Sequence, residues 1–146
     1  MNNLFKNLFI LLLIAGMQTA FADTRTPVEI TKITDGDTVV AQIGNNKFRV
    51  RLIGIDCYET SNNNRAYKQA YKNNLSIDEV IDKGLNSKLY LENLHNQNKN
   101  SQTFLDFKGL DIYNRVLGVL YFGKINVNEN LMQHGGCMAY PDFSAG

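Results

Sequence analysis

The sequence predicts an α+β protein, mainly β. The expected form is a five-stranded OB-type Greek-key barrel, with a helical segment between strands three and four and a short helix after strand five. Three observations predict it. β-branched, alternating segments recur as three strands, then two more after a gap. The gap carries helical spacing and a helix-start signature. One apolar helix pattern follows the last strand and is stopped by two glycines.

The elements follow in order. Val28 to Thr34 places Val28, Ile30 and Ile33 among polar neighbours and reads as a strand. Thr38 to Ile43 is β-branched and reads as the second. Gly44-Asn45-Asn46-Lys47 is a turn, because Gly and Asn tolerate positive φ. Phe48 to Ile55 is the third strand, with Phe48, Val50 and Leu52 on one face and Arg49, Arg51 and Ile53 on the other. Ser61 to Asn64 is a loop, and Arg65 to Asn73 has helical composition. Ser76 and Glu79 form a capping box. Ile77, Val80, Ile81, Leu85, Leu89 and Leu94 follow at roughly helical spacing, and Gly84 predicts a bend or a break there. Thr103 to Leu110 and Val116 to Phe122 are strands four and five, joined by a hairpin loop at Asp111 to Asn114. Asn126 to His134 is a short helix with Val127, Leu131 and Met132 turned inward, ended by Gly135-Gly136.

The N-terminus reads as a separate segment. Lys6 is the only charge before Asp23, and Leu8 to Met17 is a nearly unbroken apolar run closed by Ala20-Phe21-Ala22. This is the pattern of a secretory signal peptide over residues 1–22. The run falls short of the ~20 apolar residues of a spanning helix. Residues 23–146 then form one domain, exported to a periplasm or the medium, with no stable membrane association and expected as a monomer. Loss of Lys6 brings the 15 basic residues level with the 14 acidic ones. A basic tail for non-specific nucleic-acid binding is therefore excluded, and attraction for polyanions must be local. Cys57 and Cys137 are the two cysteines. An oxidising compartment permits a disulfide between them; two buried thiols are the alternative.

The chemistry concentrates in Asp35-Gly36-Asp37-Thr38, Arg51 and Asp56-Cys57-Tyr58-Glu59, with Arg115 further on in Asp111-Ile112-Tyr113-Asn114-Arg115. Carboxylates hold a hard divalent cation. Guanidinium groups donate paired hydrogen bonds to phosphate oxygens. Together they suit a metal-dependent phosphodiesterase. Asp35 reads as a turn or supporting aspartate, and His95 and His134 as surface or packing residues.

These blocks, with Val127-Asn128-Glu129 and Leu131, resemble the thermonuclease (staphylococcal nuclease-like) family from about Val28 to Tyr140. The resemblance implies a Ca²⁺-dependent nuclease acting on DNA, with RNA also open, and leaving 3′-phosphate ends. It implies Asp37, Asp56 and the backbone carbonyl of Cys57 as metal ligands. It implies Glu59 as the base that orients the attacking water, and Arg51 and Arg115 as phosphate clamps. Tyr113 is expected at a terminal phosphate; Tyr140 reads either as a ring that stacks on a base or as a packing aromatic at the barrel rim. Three departures stand out. Tyr58 replaces the family's Pro, which predicts a less rigid loop. Ile112 replaces a Lys, which Lys108 would have to offset. The family's third, C-terminal helix has no counterpart before Gly146. Two rivals stand beside this reading: a non-catalytic OB-fold nucleic-acid-binding module, and a structural barrel of the cell envelope.

Overall fold

A single residue, Val28, separates the two edge strands of the main sheet. The computed structural model describes residues 23–141. The expected signal peptide lies outside them. Strand β1 (Thr26–Pro27) is followed by β2 (Glu29–Asp35), β3 (Thr38–Ile43), β4 (Asn46–Leu52) and β5 (Ile55–Asp56). Helices α1 (Asn64–Asn73) and α2 (Ile77–Gln97) come next. Then come β6 (Thr103–Leu110), β7 (Val116–Phe122), β8 (Ile125–Asn126), helix α3 (Val127–His134) and β9 (Met138–Ala139). The strand order is β1-β6-β7-β4-β3-β2, with β8 on β7. Because β1 and β2 are almost consecutive in the chain, the sheet must curl until its edges adjoin. No strand pairing closes it among the described residues. Where the sequence predicts a five-stranded OB-type barrel, the described residues form a curled seven-stranded sheet with no closing strand pair.

The parallel pairing of β4 with β7 sets the site. It aligns Val50 with Val116 and Arg51 with Leu117, while β3 places Thr38 opposite Arg51. Val39, Val50, Leu105 and Leu120 fill the interior together with Leu91, Phe122, Val127 and Leu131. Arg51 therefore points away from this core, as alternation requires.

Several expected elements change. The third strand stops at Leu52, because Gly54 (φ +78°) turns the chain in a conformation that side chains disfavour. Ile55–Asp56 then pairs with Met138–Ala139 in a separate two-stranded ladder. Helix α2 runs unbroken through Gly84. Its buried stripe is Val80, Gly84, Ser87, Leu91 and Leu94, while Leu85 and Leu89 face outward. Two small residues complete that stripe, so a search for large apolar residues misplaces it. Met132, expected inside, is exposed. The Ser76–Glu79 capping box is formed.

A disulfide joins Cys57 to Cys137, tying the segment after β5 to the segment after α3. Both cysteines are buried. Converting both to serine is expected to lower unfolding free energy by about 2–4 kcal/mol. Urea denaturation of the oxidised protein and the double variant measures this. Equal midpoints would show that the bridge contributes nothing.

Candidate active site

Arg51 is only 2% exposed, and its guanidinium reaches two carboxylates at once. It stands 3.3 Å from Asp37 and 3.3 Å from Asp56. It also donates to the carbonyls of Leu52 and Ile55, the latter at 3.0 Å. These carbonyls belong to the turn that ends β4, so the arginine fixes both the turn and the acidic pair.

Asp37 is buried beside it. One carboxylate oxygen accepts the Cys57 backbone N–H at 2.7 Å, and the other accepts the Thr38 hydroxyl at 3.2 Å. Asp35 plays the supporting part expected of it, accepting the Asp37 backbone N–H at 3.1 Å. Burial pushes the Asp37 carboxyl up to about 7, and Asp35 adds to the shift against the pull of Arg51.

The loop after β5 completes the cluster. Glu59 accepts from the Asn63 side chain at 2.9 Å and pairs with Arg65 at 3.1 Å. Arg65 also pairs with Asp56, so one guanidinium bridges the two carboxylates from the solvent side. Burial opposes its charge, but Asp56, Glu59 and Asp37 outweigh it and hold the Arg65 guanidinium above its usual range. Gln69, on α1, accepts the Glu59 N–H at 2.9 Å and donates to the Cys57 carbonyl at 3.0 Å. The expected carbonyl ligand therefore already holds one hydrogen bond and keeps one lone pair.

The structure brings Asp37, Arg51, Asp56, Cys57 and Glu59 together. Arg115 and Tyr113 belong to the neighbouring β6–β7 hairpin. Arg115 pairs with Asp111 at 2.7 Å and lies 5.5 Å from the Tyr113 ring centroid. Burial works against the Asp111 charge, but hydrogen bonds from Arg115 and Tyr113 hold its carboxyl below the usual range. Arg49 fastens this hairpin by donating to the Tyr113 carbonyl at 2.9 Å. Leu117 is aligned with Arg51, so Arg115, two residues earlier, falls on the same side of the sheet. Tyr140 follows β9, and its N–H donates to Gly54 at 2.9 Å. Tyr140 lines a groove of about 510 Å³ with Ile53, Ile55 and Met132. Lys108, the expected substitute for a lysine at 112, is paired with Asp106 at 2.8 Å.

Residues 49–144 match the family model described as Staphylococcal nuclease homologue. The chain belongs to the staphylococcal nuclease homologue family. Arg51, Asp56, Glu59, Arg115 and Tyr140 fall within the matched span, and Asp37 precedes it. The chain is 32% identical over 135 residues to a Haemophilus influenzae protein named as an uncharacterized endonuclease, covering 92% of this chain and 64% of that protein. It is 27% identical over 135 residues to an uncharacterized protein of Methanocaldococcus jannaschii, covering 84% and 64%. The match thus spans 64% of the length of each of these relatives.

In this staphylococcal nuclease homologue, four supporting residues escaped the sequence reading. Asn63 caps α1 while holding Glu59. Arg65 lies in the first turn of that helix. Gln69 occupies its buried stripe between Ala66 and Ala70, where a lone amide was the available signal. Gly84 is the fourth: a Cβ there would lie 2.1 Å from the Glu59 carbonyl oxygen. The helix backbone lies directly against the loop that carries Glu59. Tyr58 packs against the small cluster of Ala66, Ala70 and Val80.

Gly84→Ala is expected to cost at least about 1–3 kcal/mol, the usual scale of overpacking. Thermal unfolding measures this, and amide exchange at Tyr58 and Glu59 should quicken. An unchanged melting temperature would mean that helix and loop part easily.

Proposed function

We propose that this protein is an exported, calcium-dependent nuclease that hydrolyses phosphodiester bonds of DNA, preferring unpaired strands, with RNA left open as a second substrate. The observation that carries the reading is the convergence of Asp37, Arg51, Asp56 and Glu59 at one end of the curled sheet, in a chain of this family. The buried disulfide supports export to an oxidising compartment.

The donor chemistry fits calcium. Asp37, Asp56 and the Cys57 carbonyl offer oxygen alone, the preference of a hard cation. Among the described residues, no three His, Cys, Asp or Glu side chains gather as a metal site. The fit therefore rests on two carboxylates, one carbonyl and solvent. The raised Asp37 carboxyl marks a place where added positive charge is stabilising. When bound, calcium would supply charge for phosphate oxygens and favour ionisation of water.

The chain's own residues carry the remaining work. Glu59 takes the proton of the attacking water, with Asn63 and Gln69 fixing its position. Arg51 and Arg115 donate hydrogen bonds to the non-bridging oxygens as charge builds in the transition state. Tyr113 donates to a terminal phosphate, and Tyr140 stacks on a base. The reaction breaks P–O5′ and leaves 3′-phosphate ends. The rival, a binding module without catalysis, retains no use for Glu59 held in place by three side chains.

Glu59→Gln and Arg115→Lys should each lower kcat/KM on single-stranded DNA about 100-fold to 1,000-fold with little change in melting temperature. Arg51→Lys should do the same with some loss of stability. Digestion with calcium, or with a chelator, sets the baseline. No digestion by the unaltered protein under any divalent metal would leave the binding module standing.

Calcium binding should also report on Asp37. The carboxyl must be ionised to bind, and it holds its proton below about 7. Apparent calcium affinity should fall about tenfold per pH unit below pH 7 and level off above it. Calorimetric titration across that range reads this directly. A pH-independent affinity would remove Asp37 from the ligand set.

A further inference from the structure

Helix α1 carries a short repeat, Ala66-Tyr67-Lys68-Gln69 followed by Ala70-Tyr71-Lys72-Asn73. The repeat spacing of four keeps like residues on one side of a helix. Ala66, Gln69 and Ala70 are buried against α2 and the Glu59 loop. The two tyrosines and two lysines are what remains outside. Tyr71 is 92% exposed and Tyr67 is 54% exposed. Neither hydroxyl is hydrogen-bonded, and neither lysine is ion-paired, among the described residues. Each like pair is separated by about 6 Å along the helix axis.

The helix's own charge is one-sided. From Thr60 to Ile77 the chain holds Arg65, Lys68 and Lys72 and no acidic residue. Outside the expected signal peptide, acidic and basic residues are balanced, so this run is a local positive patch. It begins at Arg65, which already reaches Asp56 and Glu59. A polyanion leaving the acidic end of the sheet would meet this helix next.

Exposed aromatic rings interleaved with unpaired cations are what a single-stranded nucleic acid requires. Bases stack on the rings, and phosphates neutralise the lysines. A folded protein partner would call for a larger and more apolar surface. We infer that the outer face of α1 is a second binding surface for single-stranded nucleic acid, continuous with the candidate active site: Tyr67 and Tyr71 receive bases, and Lys68 and Lys72 receive phosphates. It rests on the reading of this protein as one that engages nucleic acid, and it adds a track that lengthens the contact beyond the cleaved bond.

The test separates the two ideas. Binding of fluorescent single-stranded DNA, a 20-nucleotide and a dinucleotide probe, is followed by anisotropy with chelator present, so cleavage plays no part. Tyr67→Ala/Tyr71→Ala should weaken the long probe by about tenfold or more for each ring removed and leave the dinucleotide unaffected. Lys68→Gln/Lys72→Gln should reduce the slope of log affinity against log salt by about 1.4. Both pairs are exposed, and unchanged melting temperatures verify the fold. Equal binding of the long probe by the unaltered protein and the tyrosine variant would overturn the proposal. So would loss of binding to anionic phospholipid vesicles in place of DNA. If the unaltered protein cleaves nothing but the variants still lose the long probe, the track stands and the nuclease reading fails.

Discussion

A buried guanidinium holding two carboxylates is the interaction on which this molecule's business end depends. An arginine that is almost wholly shielded from water cannot shed its proton and must find counter-charge. Arg51 finds it in Asp37 and Asp56, which come from different elements. Asp37 follows the β2–β3 turn, and Asp56 ends the short strand beyond Gly54. Their meeting requires that β3 and β4 keep their register, because a slip of one residue would turn Arg51 into the core. The buried ion pairs and the strand register therefore go together.

The loop that follows is ordered without strand or helix of its own. Its polar backbone groups are met by side chains: Cys57 N–H by Asp37, and Cys57 carbonyl and Glu59 N–H by Gln69. Tyr58 anchors it in the small cluster under α1, the disulfide anchors it to the segment after α3, and Gly84 lets α2 press against it. Such support from outside is what holds a carboxylate in one pose, since a loop alone samples many. Net negative charge remains after Arg51 is counted, which is why Arg65 folds over Asp56 and Glu59.

The hairpin bearing Tyr113 and Arg115 is organised independently. Asp111 accepts from both of their backbone N–H groups and from the Arg115 side chain, and Arg49 clamps the tip. Two preassembled units therefore sit at neighbouring segments of the sheet: an acidic cluster with its own arginine, and a hairpin whose arginine is held by a single aspartate.

The sequence by itself determined the residue kinds, most strand positions, the capping box at Ser76, and the three blocks that mark the family. Those features are local: alternation, turn chemistry and short-range spacing need no knowledge of distant contacts. Strand ends were less legible: Gly54 ends β4, and only the tertiary pairing with β9 shows that Ile55–Asp56 forms a ladder of its own. The supporting residues were hidden for the same reason. Asn63, Arg65, Gln69 and Gly84 look like ordinary loop and helix residues until α1 and α2 are laid against the Glu59 loop. The tertiary structure alone decided that Arg51 is buried, that the sheet curls without a closing pair, and that Cys57 meets Cys137. Each depends on contacts between segments far apart in the chain, which a periodic pattern does not encode.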